Sequence, residues 1–318
     1  MTHAQAPTTP PEVGGMGHAM KRKEDPRFIR GKGEYIDDVV LPGMLWLDIV
    51  RSPYAHAKIL SIDTSEALKV PGVVAVITGK DLEAAGLHWM PTLAGDTQMV
   101  LPTDRVMYQA QEVAAVIAES RYAAADGVDA VRVEYEPLPV VVDPFKALEP
   151  GAPILRPDKG KDTNHIWHWE SGDRAGTEAA MAAADVVVEE DIYLPRIHVA
   201  SIETCGCVAD WDPIREKLTV HMTTQAPHAI RTVFSLVSKI PEHKIRIKTH
   251  DIGGGFGGKV PVYPGYVLAV VASLTTGRPV KWIEDRSENL QADSFARDYH
   301  IHAKLGLTKD GKITALQV

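Results

Sequence analysis

Asp251-Ile252-Gly253-Gly254-Gly255-Phe256-Gly257-Gly258-Lys259 carries five glycines in six positions, directly after the strand-like run Lys244-Ile245-Arg246-Ile247-Lys248. Glycine gives up more conformational entropy on folding than any other residue. Such a run therefore persists where positive φ or close approach to the main chain is required. Its successive N–H groups suit an anionic or oxo-bearing ligand. Two familiar patterns fit the run by letter and fail on context. Gly253 to Lys259 satisfies G-x-x-x-x-G-K, but Val260 stands where a phosphate-binding loop needs Ser or Thr for magnesium. Gly253, Gly255 and Gly258 satisfy G-x-G-x-x-G, but Pro261 and Pro264 follow where a dinucleotide fold would start its helix. The residues alone leave two readings open: a loop that hugs a ligand, or a glycine-rich turn around one buried aromatic.

Outward from this run the patterning alternates strand and helix. Upstream, Leu218 to Met222 reads as a strand and His228 to Lys239 as an amphipathic helix with Ile230, Val233, Phe234 and Val237 on one face. Downstream, Tyr266 to Leu274 is apolar all round and reads as a buried helix ending at Gly277, with a strand over Val280 to Glu284. Nearer the start, strands are predicted at Leu45 to Arg51, Lys58 to Asp63 and Val73 to Thr78, with a short helix at Ser65 to Leu68 and a helical turn opening at Lys80. Glu112 to Glu119 is a near-continuous apolar run bounded by charge, as expected of a strand buried on both faces. Arg121 to Ala130 reads as a helix and Val131 to Tyr135 as a half-exposed strand. Helix and strands are also predicted at Ala179 to Ala184, Val186 to Tyr193 and Val208 to Trp211. Pro137, Pro139, Pro144, Pro150, Pro153 and Pro157 mark a border near residue 150. The last residues read as a hairpin turning at Asp310-Gly311.

A chain of 318 residues, 45% hydrophobic and 24% charged, has enough apolar material for a substantial core, and two domains are expected. Its net charge of −8 argues against nucleic acid or an anionic membrane surface as the main partner. Residues 1–20 read as a disordered lead-in without the basic start and apolar core of a secretory signal. The only cysteines are Cys205 and Cys207, too few for a disulfide framework and consistent with a reducing compartment. Two thiols also cannot hold an ordinary two-iron cluster, which takes four. Cys205 and Cys207 face one way in an extended chain, but with no third ligand nearby in sequence they read as ordinary buried thiols. His300 and His302 read as solvated strand histidines. Lys259 reads as a phosphate partner or as a solvated lysine after a turn, and Gln225 alone reads as a residue entering the helix ahead of Pro227.

Thr224-Gln225-Ala226-Pro227-His228, then Asp251 to Lys259, then Glu284-Asp285-Arg286-Ser287-Glu288-Asn289-Leu290 closing on Phe295-Ala296-Arg297-Asp298, form an ordered set of motifs. In that order they resemble the large subunit of the molybdenum hydroxylases, the group that includes xanthine dehydrogenase, aldehyde oxidase and aerobic carbon monoxide dehydrogenase. The likeness runs from about Met20 to Val318 and is nearest to the last of these.

The resemblance implies an α+β fold: a small hammerhead-like α/β domain over 21–150, then the first part of a molybdopterin-binding α+β domain over 151–318. It implies a catalytic role for Gln225, whose amide matches the position that hydrogen-bonds an oxo ligand of molybdenum. Gly254, Gly255, Phe256 and Gly257 match the backbone at the edge of the cofactor, with Phe256 walling the pocket. The implied cofactor is molybdopterin cytosine dinucleotide with molybdenum, and a copper ion would be bound through a cysteine outside this chain. The implied partners are an iron–sulfur small subunit carrying 2Fe-2S and a medium subunit carrying FAD, arranged as a dimer of heterotrimers without nucleic acid. The implied location is cytoplasmic or at the inner face of the cell membrane. The implied activity is oxidation of carbon monoxide with water, the alternatives being hydroxylation of an aldehyde or N-heterocycle, or a non-catalytic truncated subunit. Glu203 is a candidate acid behind the site, while the family's catalytic glutamate is expected beyond Val318. The chain is accordingly expected to be the N-terminal portion of a longer subunit.

Overall fold

Seven strands build the central sheet, and their sequence explains their depth. We label them β1 (Leu45–Arg51), β2 (Val73–Thr78), β3 (Glu112–Ala118), β4 (Gly206–Asp212), β5 (Lys217–Met222), β6 (Ile245–Thr249) and β7 (Val280–Ile283). Across the sheet they run β6-β5-β4-β7-β1-β3-β2. The near-continuous apolar run of β3 lies between β1 and β2 with all seven residues buried, as a strand covered on both faces requires. β1 pairs in parallel with β7 through Leu45↔Val280 and antiparallel with β3. The sheet therefore takes strands from both sides of the proline cluster.

The computed structural model describes residues 19–92 and 96–318, so the lead-in expected over 1–20 lies outside the described residues up to residue 18. The chain divides into two units, Met1–Glu34 and Tyr35–Val318. In the described part of the first, a one-turn helix at Asp25–Phe28 has Pro26 in its first turn, and Asp25 pairs with Arg22 at 2.8 Å. Within the second, the helix Pro264–Thr276 lies buried against β4 and β7. Its Gly265 is required by contact, because a Cβ there would stand 2.4 Å from the Trp282 ring. The amphipathic helix Pro227–Ser238 buries the four predicted residues, Ile230, Val233, Phe234 and Val237. Among the described residues no helix is long and apolar enough to cross a membrane.

A second sheet joins Val186–Leu194, Tyr299–Leu307 and Ile313–Gln317, with Gly311 at φ +84° in the hairpin turn. Departures from the sequence reading are local. The helix expected at Ser65 to Leu68 is one 3-10 turn, Ala67–Lys69. The helix Arg286–Ala292 has no sequence counterpart above, although Asp285 and Glu288 form a capping box at its start. That D-x-x-E spacing was the available signal.

β5 and β6 set up the site. They are parallel neighbours in register from Leu218↔Ile245 to Met222↔Thr249, so both leave the sheet at the same end. The segment after β5 carries Gln225, and the segment after β6 is the glycine run. Parallel strands in register thus bring together two segments that lie far apart in sequence, at the carboxyl edge where open α/β sheets commonly bind ligands.

Candidate functional site

The glycine run and Gln225 interlock. Gln225 N–H donates to the Lys259 carbonyl at 3.0 Å. Its side-chain Oε1 accepts from Gly257 N–H at 3.0 Å and from Lys259 N–H at 3.3 Å. Backbone N–H groups only donate, so the atom facing them is the amide oxygen, and the amide nitrogen is turned the other way. Gly255 makes this possible, because a Cβ there would stand 2.5 Å from Gln225 Cδ and 2.6 Å from Oε1.

The loop between these anchors holds donors without acceptors. Gly258 N–H closes a turn onto the Gly255 carbonyl at 2.7 Å. Among the described residues, the N–H groups of Gly254, Gly255 and Phe256 donate to no protein group. Ser201 Oγ is buried without a partner and lies 3.4 Å from where a Cβ on Gly254 would be. Phe256 adopts a left-handed φ of +48°, and its ring is 75% exposed. A bulky residue in that region costs of order 1–3 kcal/mol. Exposure of the ring removes the reading of a turn wrapped around a buried aromatic. Free N–H groups, an amide NH2 and an orphaned hydroxyl form a set of donors suited to a ligand rich in oxygen or sulfur acceptors.

Both ends of the loop are held from below by Glu203. Its Oε2 accepts from Gly253 N–H, Thr223 Oγ1 and Lys259 Nζ, each at 2.8 Å, and its Oε1 accepts from Ile36 N–H at 3.3 Å. Lys259 is 2% exposed and ion-paired, so it is neither solvated nor open to a phosphate. Nothing in sequence linked Glu203 to Lys259. The contact arises because β6 delivers the loop back over the segment that enters β4.

A second polar cluster lies in the interior. Cys205, Glu284 and Asp293 bring candidate ligand atoms within 4.8 Å of one another, so the fold supplies the neighbours that Cys205 lacked in sequence. The group is closed by hydrogen bonds. Asn289 Nδ2 donates to Asp293 Oδ2 at 2.5 Å and to Glu284 Oε2 at 3.3 Å, and Cys205 Sγ donates to Asp293 Oδ2 at 3.4 Å. Burial, then the Asp293 charge, pushes the Glu284 carboxyl well above the usual carboxylate range. Burial likewise pushes both thiols up, and both are free and buried, as read from sequence. His302 lies exposed beside Asp191, Nδ1 to Oδ1 at 2.8 Å, which holds its ring above the ordinary histidine range. His300 packs edge-on against Phe145 and tilted against Tyr193, with ring centroids 4.5 and 4.6 Å apart. A cavity of about 470 Å³ lined by Trp89, Met99, Tyr108, Gln111 and Arg156 includes none of the loop residues.

Residues 157–318, half of the chain, match the family described as Molybdopterin cofactor-binding domain. The chain belongs to that molybdopterin-binding family. Residues 30–139 match the aldehyde oxidase and xanthine dehydrogenase a/b hammerhead domain. The chain's relatives include the carbon monoxide dehydrogenase large chain of Hydrogenophaga pseudoflava, 54% identical over 316 residues, and that of Afipia carboxidovorans, 57% identical over 313. These alignments cover 96% and 95% of this chain and 39% of each relative. The crystal structure of the Cu,Mo-CO dehydrogenase in its carbon monoxide reduced state superposes with a TM-score of 0.90 at 56% identity, over 95% of this chain and 39% of that one. The chain thus spans about two fifths of the length of these relatives, and its mixed α/β architecture is theirs.

Proposed function

We propose that this chain forms the cofactor-cradling part of the catalytic large subunit of a molybdenum-dependent oxidoreductase that oxidises carbon monoxide with water to carbon dioxide. The observation that carries the reading is the posture of Gln225, whose oxygen is tied to Gly257 and Lys259 while its NH2 remains available beside three unused N–H groups. The 54–57% identity to carbon monoxide dehydrogenase large chains supports the substrate assignment.

In this reading Gln225 Nε2 donates toward an oxo group of the cofactor, and the N–H groups of Gly254, Gly255 and Phe256 hold the cofactor's edge. Backbone donors need no side-chain ordering, so they are preorganised for charge that develops during reaction. Gly257, at φ +91° with open space where a Cβ would be, keeps the approach clear. The exposed Phe256 ring forms an apolar wall that excludes water from one side. When bound, molybdopterin with molybdenum supplies two-electron redox chemistry. The finer assignments belong to the same proposal: a cytosine dinucleotide form of the cofactor, a copper ion bound through a cysteine outside this chain, and partner subunits carrying 2Fe-2S and FAD in a dimer of heterotrimers. A cytoplasmic site, or one at the inner membrane face, and a domain border near residue 150 complete it.

The test is made on the full-length protein assembled with its partners. Molybdenum content near one per large subunit and dye-linked oxidation of carbon monoxide are expected. Full metal content with oxidation of an aldehyde or N-heterocycle instead would overturn the substrate assignment, and a protein without molybdenum would overturn the function.

A further inference from the structure

We infer that Glu203 and Lys259 are positioning residues, a buried ionic clamp that sets the shape of the glycine loop for its ligand. This inference rests on the functional reading above. One carboxylate oxygen, Glu203 Oε2, takes donors from both ends of the loop, Gly253 N–H and Lys259 Nζ, and from Thr223 at the end of β5. The main chain doubles the first tie, with Glu203 N–H donating to the Gly253 carbonyl at 3.1 Å. The approach is so close that a Cβ on Gly253 would stand 2.4 Å from Glu203 Cβ. At the other end Lys259 is bound three ways. Its carbonyl accepts from Gln225 N–H and Thr224 Oγ1, its N–H donates to Gln225 Oε1, and its ammonium reaches Glu203.

Between the two fixed ends lies the apex, Gly254 to Phe256, with its unused N–H groups. Fixing the ends fixes where those donors point. A buried ion pair is a poor source of net stability, because desolvation of both charges opposes their attraction. An apolar pair of similar volume would serve the core as well. What such a pair would not do is tie Gly253 and Lys259 to one point. The clamp also reaches Gln225, because displacing Lys259 moves the N–H that holds the Gln225 oxygen.

The test separates positioning from stability with four variants of the full-length protein: E203Q, K259M, the double variant E203Q/K259M, and T223V, which keeps both charges. Melting temperature, molybdenum per subunit during dialysis, and amide hydrogen exchange at Gly253, Gly257 and Lys259 are read for each. The single charge variants should melt lower, since each leaves one buried charge alone. The double variant should recover its melting temperature, because the amide oxygen that E203Q introduces still meets Gly253 N–H. With the tie to residue 259 gone, it should nonetheless exchange the Gly257 and residue-259 amides faster and lose molybdenum about tenfold faster than wild type. T223V should fold and fall between. A double variant that recovers its melting temperature and keeps wild-type amide protection and molybdenum retention would overturn the clamp. Should the charge variants not fold, T223V with wild-type exchange and retention would overturn it equally. A wild-type protein lacking molybdenum would sink the functional reading instead, and the exchange data would still decide the clamp.

Discussion

Gly255→Ala tests the interlock between the loop and Gln225 directly. Gly255 does not adopt a left-handed φ, so its backbone tolerates alanine, and the objection is purely one of space. The new Cβ would stand 2.5 Å from Gln225 Cδ, 2.6 Å from Oε1 and 2.9 Å from Cγ. Real Cβ atoms do not approach so closely, and the flexible Gln225 side chain is the partner that must swing away. Doing so forfeits the two bonds from Gly257 N–H and Lys259 N–H. At about 1 kcal/mol net for each hydrogen bond, the substitution should cost about 2 kcal/mol. In a Gln225→Ala background the obstructing atoms are gone and the bonds already lost. Gly255→Ala should then cost close to nothing further, which gives a coupling energy of about 2 kcal/mol across the double-mutant cycle. Urea unfolding of wild type, both single variants and the double variant of the full-length protein measures it. If Gly255→Ala destabilises both backgrounds equally, the alanine clashes with something other than Gln225 and the geometry argued here is wrong.

Other expectations follow from the same site and its surroundings. Gln225→Glu keeps an acceptor for Gly257 and Lys259 but replaces the outward donor, so the protein should retain its fold while turnover falls about a hundredfold. Wild-type turnover at full metal content would exclude that role for the amide. On the proposed function, Gly257→Val should lower molybdenum content, because it forces a β-branched residue into φ +91° and fills open space at the loop, and metal analysis of the full-length protein checks it. Glu284 has its folded pKa raised by burial, so the folded state holds a proton the unfolded state has released, and its contribution is lost as pH rises above the ordinary glutamate value of 4.5. Glu284→Gln should flatten that decline by up to about 1.4 kcal/mol per pH unit, measured as denaturant stability from pH 5 to 8. Cys205 and Cys207 should resist alkylation in the native protein and react fully in denaturant, as counted by mass spectrometry.

The regular elements were readable where burial follows a simple period. β3 is apolar from Val113 to Ala118 and fully covered, and the helix Pro227–Ser238 shows a clear apolar face. Asp285–Glu288 shows the limit of that signal, since a seven-residue helix is too short to display periodicity and only its cap announces it. The glycine run announced closeness of something to the backbone, and the resemblance matched it with Gln225. Which atom of the Gln225 amide faces the loop depends on the parallel register of β5 and β6, a long-range fact. Glu203–Lys259 is harder still. A lysine after a turn is usually solvated, and only the tertiary path of the chain turns Lys259 inward. The same holds for Cys205, whose neighbours Glu284 and Asp293 come from far along the chain.

The parallel pairing of β1 with β7 also fixes an order of events at the ribosome. β1 emerges early, but its hydrogen-bonding edge at Leu45 meets Val280 only when that residue appears, roughly 235 residues later. At ordinary elongation rates that interval is on the order of 10–50 s. Until then β1 has at most its antiparallel partner β3, and that only once β3 has itself been made, so its other edge is an open template for foreign strands. The glycine loop is translated just before β7, so the nascent chain acquires its donor-lined apex and closes its central sheet within the same few dozen residues of synthesis. Chaperone protection of the β1 edge, or slow translation ahead of residue 280, would therefore act on the yield of folded chain.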